Sequence, residues 1–127
     1  MAEDNKKKIL VVEDDEFLRS LTVKRLSEEN YEVITAVDGN SGLSTAVDEK
    51  PDLVLLDLLL PGMSGFEVLE KMKADDQAKD IPVVVFSNLG QREDIEKAKT
   101  LGANDYLIKA NFTLDDVVEK VDNYLNK

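Results

Sequence analysis

The sequence predicts an α/β fold: a parallel sheet of five strands with five helices packed on its two faces. Three observations lead there. Five short apolar runs recur along the 127 residues. Amphipathic segments of helical period separate each run from the next. No linker, low-complexity tract or fixed repeat interrupts the alternation. The runs are mostly β-branched residues and leucine without polar alternation, the composition of strands buried on both faces.

The first strand is Ile9-Leu10-Val11-Val12. A helix near Glu16 to Glu29 follows, with Asp15 as its N-cap and Phe17, Leu18, Leu21 and Leu26 as its buried side. Val33-Ile34-Thr35-Ala36 is the second strand, and the helix after it, near Ser41 to Glu49, turns Leu43, Ala46 and Val47 inward. After the third strand, Leu53-Val54-Leu55-Leu56, the pair Pro61-Gly62 has the order of a type II turn. It sends the chain into a third helix at Ser64, where Glu67 completes a capping-box spacing and Phe66, Leu69 and Met72 supply the core side. The polar stretch Asp75 to Asp80 reads as a surface loop before the fourth strand, Val83-Val84-Val85-Phe86. A helix near Gln91 to Leu101 buries Ile95, Ala98 and Leu101, and Tyr106-Leu107-Ile108 makes the fifth strand. In the last helix Leu114, Val117, Val118, Val121, Tyr124 and Leu125 form one stripe opposite Asp115, Asp116, Glu119 and Asp122. Thr113 and Asp116 have the spacing of a capping box at its start. The chain ends just beyond, which leaves no expected room for an output domain.

Composition narrows the chemistry. A formal net charge of −11 repels nucleic acid and anionic lipid, so direct binding to either is not expected. With no cysteine there are no disulfides or thiolate metal sites, and with no histidine there is no His-ligated zinc, Ser-His-Asp triad or phosphohistidine carrier. Carboxylates, hydroxyls and amines must do the work. The polar start, Met1 to Lys8, has no apolar core of a signal peptide, and no apolar run is long enough to span a bilayer. A cytoplasmic protein is the expectation.

Open α/β sheets bind ligands outside the carboxyl ends of their strands. Glu13, Asp14 and Asp15 follow the first strand, Asp57 the third, Ser87 and Asn88 the fourth, and Lys109 the fifth. Taken singly, each is an ordinary turn, cap or surface residue. Together they place a group useful in phosphoryl transfer at four strand ends, provided strands one, three, four and five are near neighbours. Glu13, Asp14 and Asp57 bring three negative charges against the one positive charge of Lys109, so a divalent cation brings the sum to zero. Oxygen-only ligation selects a hard cation, Mg²⁺ with Mn²⁺ as a substitute. The ligand spacing of a calcium-binding EF-hand loop is absent.

The segments ILVVEDDEFLR, PDLVLLDLLLPGMSGFEVL, IPVVVFSN and GANDYLIKANF resemble the receiver domain of two-component response regulators, single-domain chemotaxis type. The resemblance runs from about Lys7 to Leu125. It implies a flavodoxin-like sheet of order 2-1-3-4-5, with residues 1–127 as one receiver domain and residues 1–7 as a flexible tail. It implies that Glu13 and Asp14 are the acidic pair, with Asp14 a direct Mg²⁺ ligand, and that the backbone carbonyl of Leu59 is a further ligand. Asp57 matches the phosphoacceptor, Ser87 the hydroxyl residue that contacts the phosphoryl group, Lys109 the site lysine and Tyr106 the aromatic switch residue. The implied donor is a sensor histidine kinase or a histidine phosphotransfer protein, and the output is a partner-binding surface on the fourth helix, fifth strand and fifth helix. Phosphorylation is expected to draw Ser87 inward and let Tyr106 swing from exposed to buried. The chain is not expected to be an enzyme beyond its own phosphorylation and slow self-dephosphorylation. Asp122 in the last helix, where dimerising receivers tend to carry basic residues, points to a monomer before phosphorylation.

Two positions depart from the family pattern. Asn88 stands where a small residue is usual, beside the phosphoryl path. Ala110 stands where a proline usually follows the lysine through a cis bond. A cis bond before a non-proline residue costs about 2.5–4 kcal/mol, so a trans bond is expected, with Lys109 reaching Asp57 by a different side-chain path. A haloacid-dehalogenase-type hydrolase wants a second Asp at the position of Leu59, and a flavodoxin wants a hydroxyl-rich loop where Glu13-Asp14-Asp15 stands. A pseudo-receiver, binding a partner without phosphorylation, is the remaining alternative.

Overall fold

The computed structural model describes residues 6–126. Five strands, β1 (Lys8–Val12), β2 (Glu32–Ala36), β3 (Leu53–Leu56), β4 (Val83–Ser87) and β5 (Asp105–Ile108), form one parallel sheet of order β2-β1-β3-β4-β5. Helices α1 (Glu16–Glu28), α2 (Gly39–Glu49), α3 (Gly65–Lys73), α4 (Arg92–Thr100) and α5 (Leu114–Leu125) alternate with the strands, as the sequence predicts. A single 3₁₀ turn, Lys109–Asn111, lies between β5 and α5. Residues 1–5 of the expected tail lie outside the described residues. Lys7 already joins the ladder at the start of β1, because its carbonyl accepts from the Glu32 N–H at 2.9 Å.

The unbroken apolar runs are explained by two cores. A strand alternates its side chains between faces, so Leu10, Val12, Val54, Leu56, Val83 and Val85 pack with Ala46, Val68, Leu69, Met72 and Ala98 of α2, α3 and α4. The intervening residues Ile9, Val11, Leu53, Leu55, Val84, Phe86 and Leu107 pack on the other face with Leu26 of α1 and Val117, Val118 and Val121 of α5.

Capping fixes most helix starts. Asp15 accepts from the Leu18 N–H at 3.1 Å, and Thr113 and Asp116 form the complete reciprocal box expected for α5. At α3 the Ser64 hydroxyl accepts from the Glu67 N–H at 3.3 Å. Helix α2 starts two residues before the expected Ser41, because Asp38 caps it through the Ser41 N–H at 2.8 Å. In α1 the expected inner face is corrected. Leu18 and Leu26 face the core and Thr22 lies between them, its hydroxyl satisfied by the Leu18 carbonyl at 2.8 Å. Phe17 is 75% exposed and Leu21 39% exposed. One helical turn separates 18, 22 and 26, so a face built on them turns 17 and 21 outward.

Several glycines are required by geometry, Gly62 and Gly65 among them. Gly62 has φ +73°, as the second central residue of a type II turn needs. Gly65, the first residue of α3, lies against the main chain of Asp57 and Leu58: a Cβ there would sit 2.3 Å from the Asp57 carbonyl oxygen and 2.5 Å from the Leu58 Cα.

All three tyrosine hydroxyls are hydrogen-bonded. Tyr31 donates to Asp122 and accepts from the Asn126 amide, Tyr124 donates to Asp105 at 2.8 Å, and Tyr106 donates to the Leu89 carbonyl at 2.6 Å. Burial, with the carboxylates beside them, raises all three above the ordinary phenol value, Tyr106 and Tyr124 to about 12.

Two measurements check this architecture. Gly65→Ala is expected to cost about 1–3 kcal/mol in urea unfolding, because the new methyl meets main chain that cannot rotate aside. In an alkaline titration followed by phenolate absorbance, no tyrosine should ionise near pH 10, where free phenols do. Folding raises these pKa values, so the neutral phenols contribute stability fully below about pH 10, and that contribution is lost as pH rises through the folded values. The phenolate signal should therefore appear together with unfolding near pH 12; a full phenolate signal near pH 10 from the folded protein would refute the bonded arrangement.

Candidate functional site

In the observed order β1, β3, β4 and β5 are contiguous and β2 lies at the edge. This is the neighbour relation needed for Glu13, Asp14, Asp57, Ser87 and Lys109 to meet. The ladder continues one residue past the strands: the Glu13 N–H donates to the Ala36 carbonyl at 3.0 Å and the Asp57 N–H to the Val12 carbonyl at 3.1 Å. Both acids are thereby fixed through their main chains, and each is only 4% exposed.

Each oxygen of Asp57 is engaged. Oδ2 accepts from Lys109 Nζ at 2.9 Å, while Oδ1 accepts from the Ser87 hydroxyl at 2.7 Å and the Leu59 N–H at 3.1 Å. Ser87 is fully buried at the end of β4. Lys109 also meets Glu13 Oε1 at 2.7 Å, and Glu13 Oε2 accepts from the Asp15 N–H at 3.1 Å. Burial raises the pKa of the Glu13 carboxyl, against the opposing hydrogen bonds from Lys109 and the Asp15 main chain. Burial alone would lower Lys109, but its hydrogen bonds to Glu13 and Asp57 prevail and hold it above its ordinary value. The ammonium is therefore a fixed positive charge between two buried acids.

Asp14 is exposed beside this pair, and Glu13, Asp14 and Asp57 each offer a carboxylate oxygen within 4.8 Å of the others. The set is all oxygen, carries excess negative charge and has one member open to solvent, which fits a hard divalent cation. Leu59, half exposed, is held at the site by the bond from its main-chain N–H to Asp57.

The remaining predicted positions lie nearby. Asn88 and Ala110 are exposed. The described residues contain no cis peptide bond, so the Lys109–Ala110 bond is trans and Lys109 reaches Asp57 all the same. Tyr106 differs from the exposed starting position expected for it: it is half-buried, packs against the α2–α4 core, and bonds to the Leu89 carbonyl in the loop after Ser87. Ser87 likewise already points at Asp57.

Two contributors carried no sequence signal. The Leu89 carbonyl acts through main chain, which any residue possesses. Arg19 donates from Nη1 to the carbonyls of Glu13 at 3.1 Å and Asp14 at 3.4 Å, again main-chain contacts that side-chain pattern does not report.

The response regulator receiver domain profile matches residues 9–122. Among curated relatives, the DNA-binding dual master transcriptional regulator RpaA of Synechocystis sp. is 38% identical over 114 residues, 90% of this chain but 47% of that protein. The chain thus spans about half of that relative's length. Sporulation initiation phosphotransferase F of Bacillus subtilis is 36% identical over 93% of both chains. The solved phosphorylated cyanobacterial phytochrome response regulator RcpA superposes with a TM-score of 0.82 at 32% identity, covering 96% of this chain and 95% of that one. Nothing in these likenesses favours the pseudo-receiver alternative. The sheet order, the acidic cluster and the profile match converge: the chain belongs to the response regulator receiver domains of two-component phosphorelay signalling.

Proposed function

We propose that Asp57 accepts a phosphoryl group from a phosphohistidine on a sensor kinase or phosphotransfer protein, and that the product is read by a protein partner. One observation carries the reading: a buried carboxylate with Lys109 on one oxygen, Ser87 on the other and two further acids beside it. A carboxylate needs no general base to act as nucleophile. An Asp57 oxygen attacks phosphorus, the P–O bond forms as the P–N bond to imidazole breaks, and the imidazole nitrogen leaves with the bond's electron pair. Glu13, Asp14, Asp57 and the Leu59 carbonyl would hold Mg²⁺, which when bound offsets negative charge on the phosphoryl oxygens. Lys109 and the Ser87 hydroxyl, already aimed at Asp57, donate to those oxygens from fixed positions.

Readout follows from the next bonds along the chain. Ser87 turned toward a phosphoryl oxygen shifts the loop that carries Leu89, and Tyr106, bonded to the Leu89 carbonyl, follows it. Tyr106 lies on β5 against the α2–α4 core, and the surface of α4, β5 and α5 would be the responsive one. The donor docks at the same end of the molecule. Phe17, 75% exposed on the first turn of α1 beside Asp15 and Asp14, offers an apolar anchor there, with Leu21 one turn on.

Two experiments test this reading. Acetyl phosphate with Mg²⁺ should add one phosphoryl group by mass spectrometry, and Asp57→Asn should abolish it; equal phosphorylation of the variant at another residue would move the acceptor. Phe17→Ala should leave acetyl-phosphate labelling unchanged while slowing transfer from a histidine phosphotransfer protein about tenfold, the equivalent of about 1.4 kcal/mol of lost contact. Equal slowing with both donors would place Phe17 in the chemistry rather than in docking.

A further inference from the structure

We infer that Arg19 is a positioning residue for the metal-ligating acids, holding the turn between β1 and α1 in the shape that keeps the Glu13, Asp14 and Asp57 carboxylates together. This rests on the reading of Asp14 as a Mg²⁺ ligand. Only Glu13 and Asp14 lie between the last β1 residue, Val12, and Asp15, the N-cap of α1. The Glu13 carboxylate is held by Lys109 and the Asp15 N–H. The Asp14 carboxylate makes no hydrogen bond among the described residues, so its direction is set by its main chain. The half-buried Arg19 is the side chain that grips that main chain, with one guanidinium nitrogen 3.1 Å from the Glu13 carbonyl and 3.4 Å from the Asp14 carbonyl. Among the described residues its side-chain bonds go to these two carbonyls and to no carboxylate.

Arg19 acts on a cation in two opposing ways. Its charge repels the cation, so removing the charge alone would tighten binding. Its grip orders the ligands before the cation arrives, so removing the grip loosens binding. The positioning role requires the second effect to win, and the sign of the change decides.

Isothermal titration of the whole chain with MgCl₂ reads the sign, with melting temperatures in EDTA read alongside. Arg19→Gln is expected to weaken Mg²⁺ binding on the order of tenfold, the lower end of what outer partners of metal ligands contribute. Its metal-free melting temperature should fall only slightly. Arg19→Lys, which keeps the charge but reaches a single carbonyl, should fall between Arg19→Gln and wild type. Tighter or unchanged binding in Arg19→Gln, with or without a lower metal-free melting temperature, overturns the role. If Arg19→Gln does not fold, Arg19→Lys decides alone: weaker binding supports the role, and equal or tighter binding overturns it. Asp14→Asn is the control for the underlying reading. If it binds Mg²⁺ as well as wild type, that reading fails and this inference fails with it; if it loses binding while Arg19→Gln does not, only the inference fails.

Discussion

The site depends on one ammonium group. Lys109 Nζ lies within 2.9 Å of Asp57 and 2.7 Å of Glu13, two buried acids that would otherwise repel each other across adjacent strands. A buried carboxylate without a partner is costly enough to be driven toward its neutral form. The lysine must come from β5, although its targets follow β3 and β1. Neighbouring strands lie about 4.8 Å apart, so Asp57 is roughly 10 Å across the sheet from the strand that supplies its counter-charge. Only a long, unbranched cation covers that span, and the intervening β4 ends on Ser87, short enough to leave the path clear. The 3₁₀ turn that begins at Lys109 sets the direction of departure, and it does so with a trans bond to Ala110.

From that contact the rest follows in layers. Lys109 takes one oxygen of Asp57 and leaves the other to Ser87 and the Leu59 N–H. Ser87 also lies within 3.4 Å of the Leu58 and Leu89 N–H groups, so the loops after β3 and β4 share one hydroxyl. The Leu89 carbonyl in turn holds Tyr106. A continuous run of bonds therefore leads from the acid to an aromatic ring on β5, and no link depends on a long surface side chain.

Much of this was legible in the sequence, for physical reasons that also mark its limits. Strands buried on both faces need uninterrupted apolar runs, so all five could be placed. Acids, hydroxyl and lysine at four of the five strand ends announced a shared edge, because a parallel sheet puts the carboxyl ends of its strands on one side. Helix α1 misled, since Phe17 and Leu21 are as apolar as Leu18 and Leu26 and hydropathy does not say which face a helix presents. Asp38 caps α2, but the residues after it, Gly39 to Ser41, are weak helix formers and hide that start in the sequence. Arg19 and Leu89 act on or through carbonyls, and the settled position of Tyr106 is a packing result. Contacts to main chain leave no residue-type signature, so they were invisible until the chain was folded.

The close seating of Gly65 on the Asp57–Leu58 main chain has a consequence for how such a protein can vary. Asp57 is held by backbone on both sides: its N–H is bonded to β1, and its carbonyl abuts the first turn of α3. Core side chains can be exchanged among aliphatic types of similar volume without relocating it, because none of them forms the cradle. The sequence is therefore free to exchange aliphatic core residues while Asp57 stays where it is. At Gly65 that freedom ends, because a single added methyl group would press on the main chain of the acid itself.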